Sequence, residues 1–289
     1  MKETAATEKL SQVLDTIPKL LLDHAKKRAD RPANRLKDLG IWQTWTWSEV
    51  ADEVRNLACG LSKIGFQRGD KLAVIGDNRP RLYWSMVAAQ ALGGIPVPLY
   101  QDSVAEEMVY VLENADVKYA IVQNQEQTDK LLEIKDRLPN LKHICYEEPR
   151  GMRDYTQDFI HYYKDIQKTG RDYHNENPDY FLQEIGKGQG SDISIFLYTS
   201  GTTGIPKGVV REHGGHAVAL KHSMKSIFNT DPGDIYWAGS DVGWVVGHSY
   251  IVYAPLIHGC ATILYEGKPV RTPDAGAFWR VIADHRVNT

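Results

Sequence analysis

Apolar residues fall in short blocks separated by polar turns, and the blocks alternate between helical and strand spacing. Leu21, Leu22, Ala25 and Ala29 share one helical face after Thr16 and Pro18, a pair suited to opening a helix. Trp42, Trp45 and Trp47 flank a short Thr-rich strand, and Ser48 stands where the next helix needs a cap. In that helix Val50, Val54, Leu57, Leu61 and Ile64 recur at helical spacing, and Gly65 supplies the stop. Leu72 to Ile75 reads as a buried strand. Pro80 opens a helix with Trp84, Val87, Ala88 and Ala91 inward, ended by Gly93 and Gly94. Ser103 and Glu106 have capping-box spacing for another helix. Tyr119 to Val122 then reads as a strand, Gln127 to Arg137 as a helix and His143 to Tyr146 as a strand.

This alternation predicts an α/β fold with mostly parallel sheets covered by helices. Residues 150–190 break the rhythm and contain Tyr162, Tyr163, Tyr173 and Tyr180, read either as an aromatic binding surface or as a helical excursion along the sheet edge. A second series starts at Ile193 to Leu197, followed by a glycine-rich loop and a helix from about His213 to Phe228. Strands near Ile235–Ala238 and Ala261–Tyr265 come next, then a helix from Pro273 to His285. The pattern calls for another strand at Val287–Asn288–Thr289. Two subdomains are expected, residues 1–190 with the 150–190 excursion, and residues 191–289 with the glycine-rich loop.

Composition narrows the function. The chain has 289 residues, 42% apolar and 25% charged, with a net charge of −3, which is ordinary for a globular protein and argues against nucleic acid as a partner. No apolar run approaches the ~18–20 residues of a transmembrane segment, and the polar start MKETAATEKLSQ lacks a signal peptide's apolar stretch, so a cytoplasmic protein is expected. Cys59, Cys145 and Cys260 are far apart and read as core thiols. His213, His216 and His222 invite a metal reading, but no obvious third ligand of another type accompanies them, and no metal site is expected. Residues 191–289 carry 16 charged residues in 99, against 55 in the first 190, as expected of a segment that is more buried or lines a site.

The strongest local signal is Tyr198-Thr199-Ser200-Gly201-Thr202-Thr203-Gly204-Ile205-Pro206-Lys207-Gly208. Glycines let successive backbone N–H groups turn toward an anion, small hydroxyls add donors without bulk, and Lys207 supplies a mobile charge for phosphate. Pro206 and Gly208 depart from the kinase-type loop, in which Gly-Lys is followed by Ser or Thr. By composition alone the segment is equally a flexible linker between strand and helix. Asp241-Val242-Gly243-Trp244-Val245-Val246-Gly247-His248 is either a core helix with a buried Trp or the wall of a small apolar slot.

The loop closely resembles the phosphate-loop signature of the adenylate-forming (AMP-binding) superfamily, which includes acyl-CoA synthetases, luciferases and peptide-synthetase adenylation domains. The resemblance covers essentially the whole chain. From about residue 20 to 200, in TWTWSEVADEVRNLACGLSKIGFQRGDKLAVIGDNRPRLYWSMVAAQALGGIPVPLY and DISIFLYTSGTTG, the chain is similar to long-chain fatty-acid–CoA ligases. From about 205 onward, in the run from VVREHGGHAVALKHSMKSIF to ATILYEGKP, it resembles acetyl- or propionyl-CoA synthetases, as a chimeric chain would.

The resemblance implies that ATP and a carboxylate give an acyl-adenylate and pyrophosphate, after which coenzyme A takes the acyl group and AMP leaves. It assigns Thr199, Ser200, Gly201, Thr202, Thr203, Gly204 and Lys207 to the ATP phosphates, and Trp244, Val245, Val246, Gly247 and His248 to the acyl pocket. Mg²⁺ would arrive with ATP. The two halves imply different acids, long-chain from the first and acetate or propionate from the second; the pocket-like segment carries more weight, since function belongs to the site. The family's adenine-binding segment, its Thr-Glu motif, its ribose-binding Asp and its mobile C-terminal domain with the adenylation lysine have no match here. A fragment of the N-terminal adenylate-forming domain is therefore expected, with catalytic residues unassigned and an unfinished sheet that favours poor solubility. A nucleotide-binding module without turnover and a non-functional truncated product are the alternatives.

Overall fold

The computed structural model describes residues 13–199, 206–240, 245–265 and 274–289, without the side chains of Thr199 and Val245. A five-stranded, all-parallel sheet forms the first layer, in the order β4 (Ile95–Leu99), β3 (Lys71–Ile75), β5 (Val117–Val122), β6 (His143–Tyr146), β7 (Ile160–Tyr162). Its strands are apolar on both faces, as a sheet covered on both sides requires. Leu72, Val74, Tyr119 and Ile121 point into one core, with Val54, Leu57 and Leu61 of helix α2 (Trp47–Lys63) and most of α3 (Pro80–Ala91). Ala73, Ile75, Ala120 and Val122 point into the other, with Met108, Val109 and Leu112 of α4 (Ala105–Asn114) and Leu131 of α5 (Gln125–Glu133).

A four-stranded sheet, in the order β10 (Ile235–Tyr236), β11 (Ala261–Tyr265), β1 (Pro32–Asp38), β2 (Ile41–Thr46), joins the two ends of the chain. Asn34 pairs with Thr262 and Leu36 with Leu264 in parallel register, so sheet pairing crosses the division at residues 190 and 191. Asn288 N–H donates to the Ile235 carbonyl at 2.8 Å and Trp237 N–H to the Thr289 carbonyl at 2.9 Å, which places the last residues along β10, where the pattern called for a strand.

Several local expectations change. The cap of α2 is Thr46, not Ser48: Thr46 Oγ1 accepts from Glu49 N–H, and Glu49 Oε2 accepts from Thr46 N–H at 2.7 Å. Thr46-x-x-Glu49 has the capping-box spacing, whereas the residue three after Ser48 is Ala51. The box expected at Ser103 does not form, because α4 starts at Ala105 with Val104 as its uncapped flank. Four strands add to the expected set, the short β7 among them. In β4, Pro96 and Pro98 fall on alternate positions, and Ile95 N–H bonds toward β3, so the residues without a donor face the side on which no strand bonds to β4. β1 is polar enough to escape the pattern, as is β9 (Lys207–Glu212), treated below. The last helix starts at Ala277; Pro273 lies outside the described residues.

The 150–190 segment holds the edge strand β7 and two helices. Its helices α6 (Tyr163–Glu176) and α7 (Tyr180–Gly186) pack on α2, with Tyr163 fully buried, Tyr173 and Tyr180 against the core, and Tyr180 hydroxyl 2.6 Å from Ser62 Oγ. The helices meet backbone to backbone: a Cβ on Gly170 would lie 1.8 Å from the Asn56 carbonyl oxygen, and one on Gly60 2.1 Å from that of Ile166. Gly170→Ala is therefore expected to cost about 2 kcal/mol or more through overpacking. Gly186→Ala, where a Cβ meets nothing within 4 Å, leaves stability nearly unchanged. Urea unfolding of the two variants beside the parent checks this contrast.

Candidate functional site

The strands on either side of the glycine-rich segment pair with each other, so a strand rather than a helix follows it. Strand β8 (Ile193–Thr199) pairs antiparallel with β9, Thr199 opposite Lys207 and Tyr198 opposite Gly208, and helix α8 (His213–Ser226) begins only after β9. Ser200, Gly201, Thr202, Thr203 and Gly204 lie outside the described residues, as does Trp244. The hairpin stem is fixed from outside: Tyr198 hydroxyl donates to Asn114 Oδ1 at 2.7 Å, and Gln90 Nε2 donates to the Ser194 carbonyl at 2.7 Å. Lys207 is exposed at the start of β9, across from Thr199.

At the other end of β9 a cavity of about 480 Å³ opens between β9, α8 and the helical stretch that runs through Val245–Gly247, a π-helical turn at His248–Tyr253 and Ala254–His258. That size suits a small organic ligand. Val210, Arg211 and Glu212 line it from the strand, His216, Ala219 and Leu220 from α8, and Val246, Ser249 and Tyr250 from the third element. Short π-helical turns often mark functional positions, since the wider turn realigns side chains. Of the expected pocket residues, Val246 lines the cavity; His248 is buried behind it beside Ser249, their Nδ1 and Oγ 3.4 Å apart.

The polar groups around the cavity form two hydrogen-bonded sets, one around Ser249 and one around Ser194. Arg211 Nη1 donates to Ser249 Oγ at 3.3 Å, and His216 Nδ1 lies 3.4 Å from Ser194 Oγ. Gln90 Nε2 also donates to the Tyr253 hydroxyl at 3.1 Å, and the Tyr253 ring packs edge-on against His216. Burial, then the charge of Arg211, holds the His216 imidazole down at about 4 and His248 at about 3. Burial lowers His213 to about 4 despite Asp192 and Asp15 nearby, and His213 Nδ1 accepts from Ile17 N–H at 3.3 Å. These partners are separate, while His222 is exposed on the far side near Ser226. Among the described residues no group of three or more His, Cys, Asp or Glu gathers around a point.

Sequence reasoning weighed His216 only as a metal ligand and passed over Arg211, Leu220, Ser249 and Tyr250. The available signal was the spacing of His216, Ala219 and Leu220, which puts all three on one helical face. Without β9 there was no second wall for that face to meet.

Fold and site together define an α/β protein with a glycine-rich hairpin beside a small-ligand pocket. The profile of the AMP-binding enzyme family matches residues 21–289, and the chain belongs to that family. It is 35% identical to an uncharacterized protein of Pseudomonas aeruginosa over 86% of the chain, and 37% identical to the mitochondrial acyl-CoA synthetase short-chain family member 3 of Bos taurus over 84%. It is 33% identical to the propionate–CoA ligase of Salmonella typhimurium over 85%. These likenesses run across the loop at which the resemblance changes character. The chain spans 40%, 36% and 39% of the lengths of these three relatives. No helix among the described residues is long and apolar enough to cross a membrane.

Acid sensitivity follows from the histidines. His24, His213, His216 and His248 have folded values below the ordinary 6.5, at about 4, 4, 4 and 3, so the unfolded chain takes up protons first as pH falls. Stability is then flat above about pH 7 and falls from 6.5 toward 4, each histidine approaching about 1.4 kcal/mol per pH unit. His216→Gln should lose less stability between pH 7.5 and 5 than the parent, read from urea midpoints at the two values.

Proposed function

We propose that this chain carries the phosphate grip and acyl pocket of a short-chain acyl-CoA synthetase, which activates a small carboxylate with ATP and passes it to coenzyme A. One arrangement carries the reading: the glycine-rich loop and the pocket lie at opposite ends of β9. Lys207 starts the strand, and Val210 to Glu212, three to five residues on, line the cavity. At about 3.3 Å per residue that is roughly 10–16 Å, room for a nucleotide's phosphates at one end and a small acid's tail at the other.

In this reading the hydroxyls of Thr199, Ser200, Thr202 and Thr203 and the backbone of Gly201 and Gly204 hold the β- and γ-phosphates. The Lys207 ammonium offsets charge that builds on the departing pyrophosphate. Trp244, Val245, Val246, Gly247 and His248 shape the acyl side, with Val246 against the tail and His248 supporting Ser249 from behind. Anchoring the tail there aims the carboxylate back along β9 toward the α-phosphate, a gain in orientation rather than in bond chemistry. Mg²⁺ would neutralise phosphate charge and enter on the nucleotide; the described residues gather no carboxylate cluster for it.

Acetate or propionate is the favoured acid, in keeping with relatives whose names specify short-chain acids or propionate. A cytoplasmic setting belongs to the same proposal, supported by three free, buried cysteines that suit a reducing compartment.

A thermal melt with and without Mg·ATP tests the phosphate grip. ATP at 100 times its dissociation constant should add about 2.7 kcal/mol to the folded chain. Lys207→Ala should abolish most of that gain while melting normally without ligand. A cooperative melt that ATP leaves unmoved would remove the nucleotide assignment.

A further inference from the structure

The pocket has a mouth and a floor of different character. Val210, Glu212, Gly215, Ala219 and Val246 are exposed at the mouth, whereas His216, Leu220 and Ser249 are buried at the inner end. Arg211 is half-buried and lies against that inner end through its bond to Ser249 Oγ. It has no carboxylate partner among the described residues, and the Glu212 carboxylate turns instead toward Gly215 on α8. A full positive charge thus sits at the inner end of a cavity whose other charged lining group, Glu212, lies at the mouth. Its field reaches the interior, since it helps keep both His216 and His248 neutral.

We propose that Arg211, braced by Ser249, is a charged stop at the inner end of the pocket that confines it to acids with short alkyl tails. This rests on the acyl-pocket reading above. A two- or three-carbon acid ends against Val246, Leu220 and Tyr250 before it meets the guanidinium. A longer alkyl tail must strip water from the guanidinium or push it off Ser249, and it offers no acceptor in return. The conflict between the long-chain and short-chain resemblances is thereby decided by one side chain rather than by pocket volume.

The test is binding of a homologous acid series, propionate, butyrate, hexanoate and octanoate, followed by ligand-observed NMR on the full chain. Each buried methylene is worth about fourfold in affinity, so an open apolar slot would favour the longer acids steadily. The parent should instead gain at most one such step and then lose affinity by hexanoate. In Arg211→Leu the rise should continue, with hexanoate bound at least about fifteenfold tighter than by the parent and propionate nearly unchanged, as expected for two further buried methylenes. Ser249→Ala, which keeps the charge but removes its brace, should give an intermediate profile. If Arg211→Leu does not fold, Arg211→Gln makes the same comparison.

The same chain-length profile in the parent and in a folded Arg211 variant overturns the stop. Val246→Trp separates this from failure of the underlying reading, because it should block every acid at the mouth. If Val246→Trp leaves propionate binding intact, or the parent binds none of the acids, the acyl pocket itself falls and the stop with it. If Val246→Trp blocks binding while the Arg211 variants keep the parent's profile, the pocket stands and only the stop is lost.

Discussion

One buried amide holds the two working halves of the molecule in register. Gln90 sits in α3, over the five-stranded sheet, and its Nε2 reaches both the Ser194 carbonyl of β8 and the hydroxyl of Tyr253, the last residue of the π-helical turn. A single side chain therefore fixes the hairpin that carries the loop and the helical stretch that walls the pocket relative to one sheet. Inside a dry core such bonds are individually modest but costly to leave unmade. Tyr253 passes the constraint on, packing against His216 and donating to Met86 Sδ at 3.6 Å. The pocket inherits its dimensions from this scaffold rather than from its own lining.

β9 is the second element on which the site depends. It is short, mostly exposed and held on one side only by β8, yet it sets the separation between loop and pocket. Because strand geometry is stiff along its length, that separation does not adapt to the ligand. Adaptation is left to the long side chains, and Arg211 is the one whose reach extends inward.

Much of the fold was legible because buried parallel strands leave apolar runs between turn residues. Leu72 to Ile75, Tyr119 to Val122, His143 to Tyr146 and Ala261 to Tyr265 all stand within the observed strands. What escaped follows from physics that a one-dimensional pattern does not carry. β4 hides behind two prolines that are harmless only because their side of the strand needs no donor. β1 reads as polar because only Ala33 and Leu36 of its seven residues are buried apolar side chains. Ser48 looked like a cap because serine is a good one, but the reciprocal partner stood three residues after Thr46. Around the cavity, the resemblance had singled out Val246, whereas Arg211 gained meaning only once Lys207 to Glu212 became a strand with one end at a cavity.

The parallel pairing of β1 with β11 has a consequence in time. Asn34 meets Thr262, roughly 230 residues later, which at a ribosomal pace of 5–20 residues per second is a wait of about ten to fifty seconds. During that interval the five-stranded sheet can complete itself, since its strands all lie between Lys71 and Tyr162. The β1–β2 hairpin cannot: one edge stays open, and Ala33 and Leu36, later in the main core, stay wet. The nascent chain thus carries a finished half beside an adhesive ribbon, and a chaperone that shields the ribbon would raise yield without touching the rest.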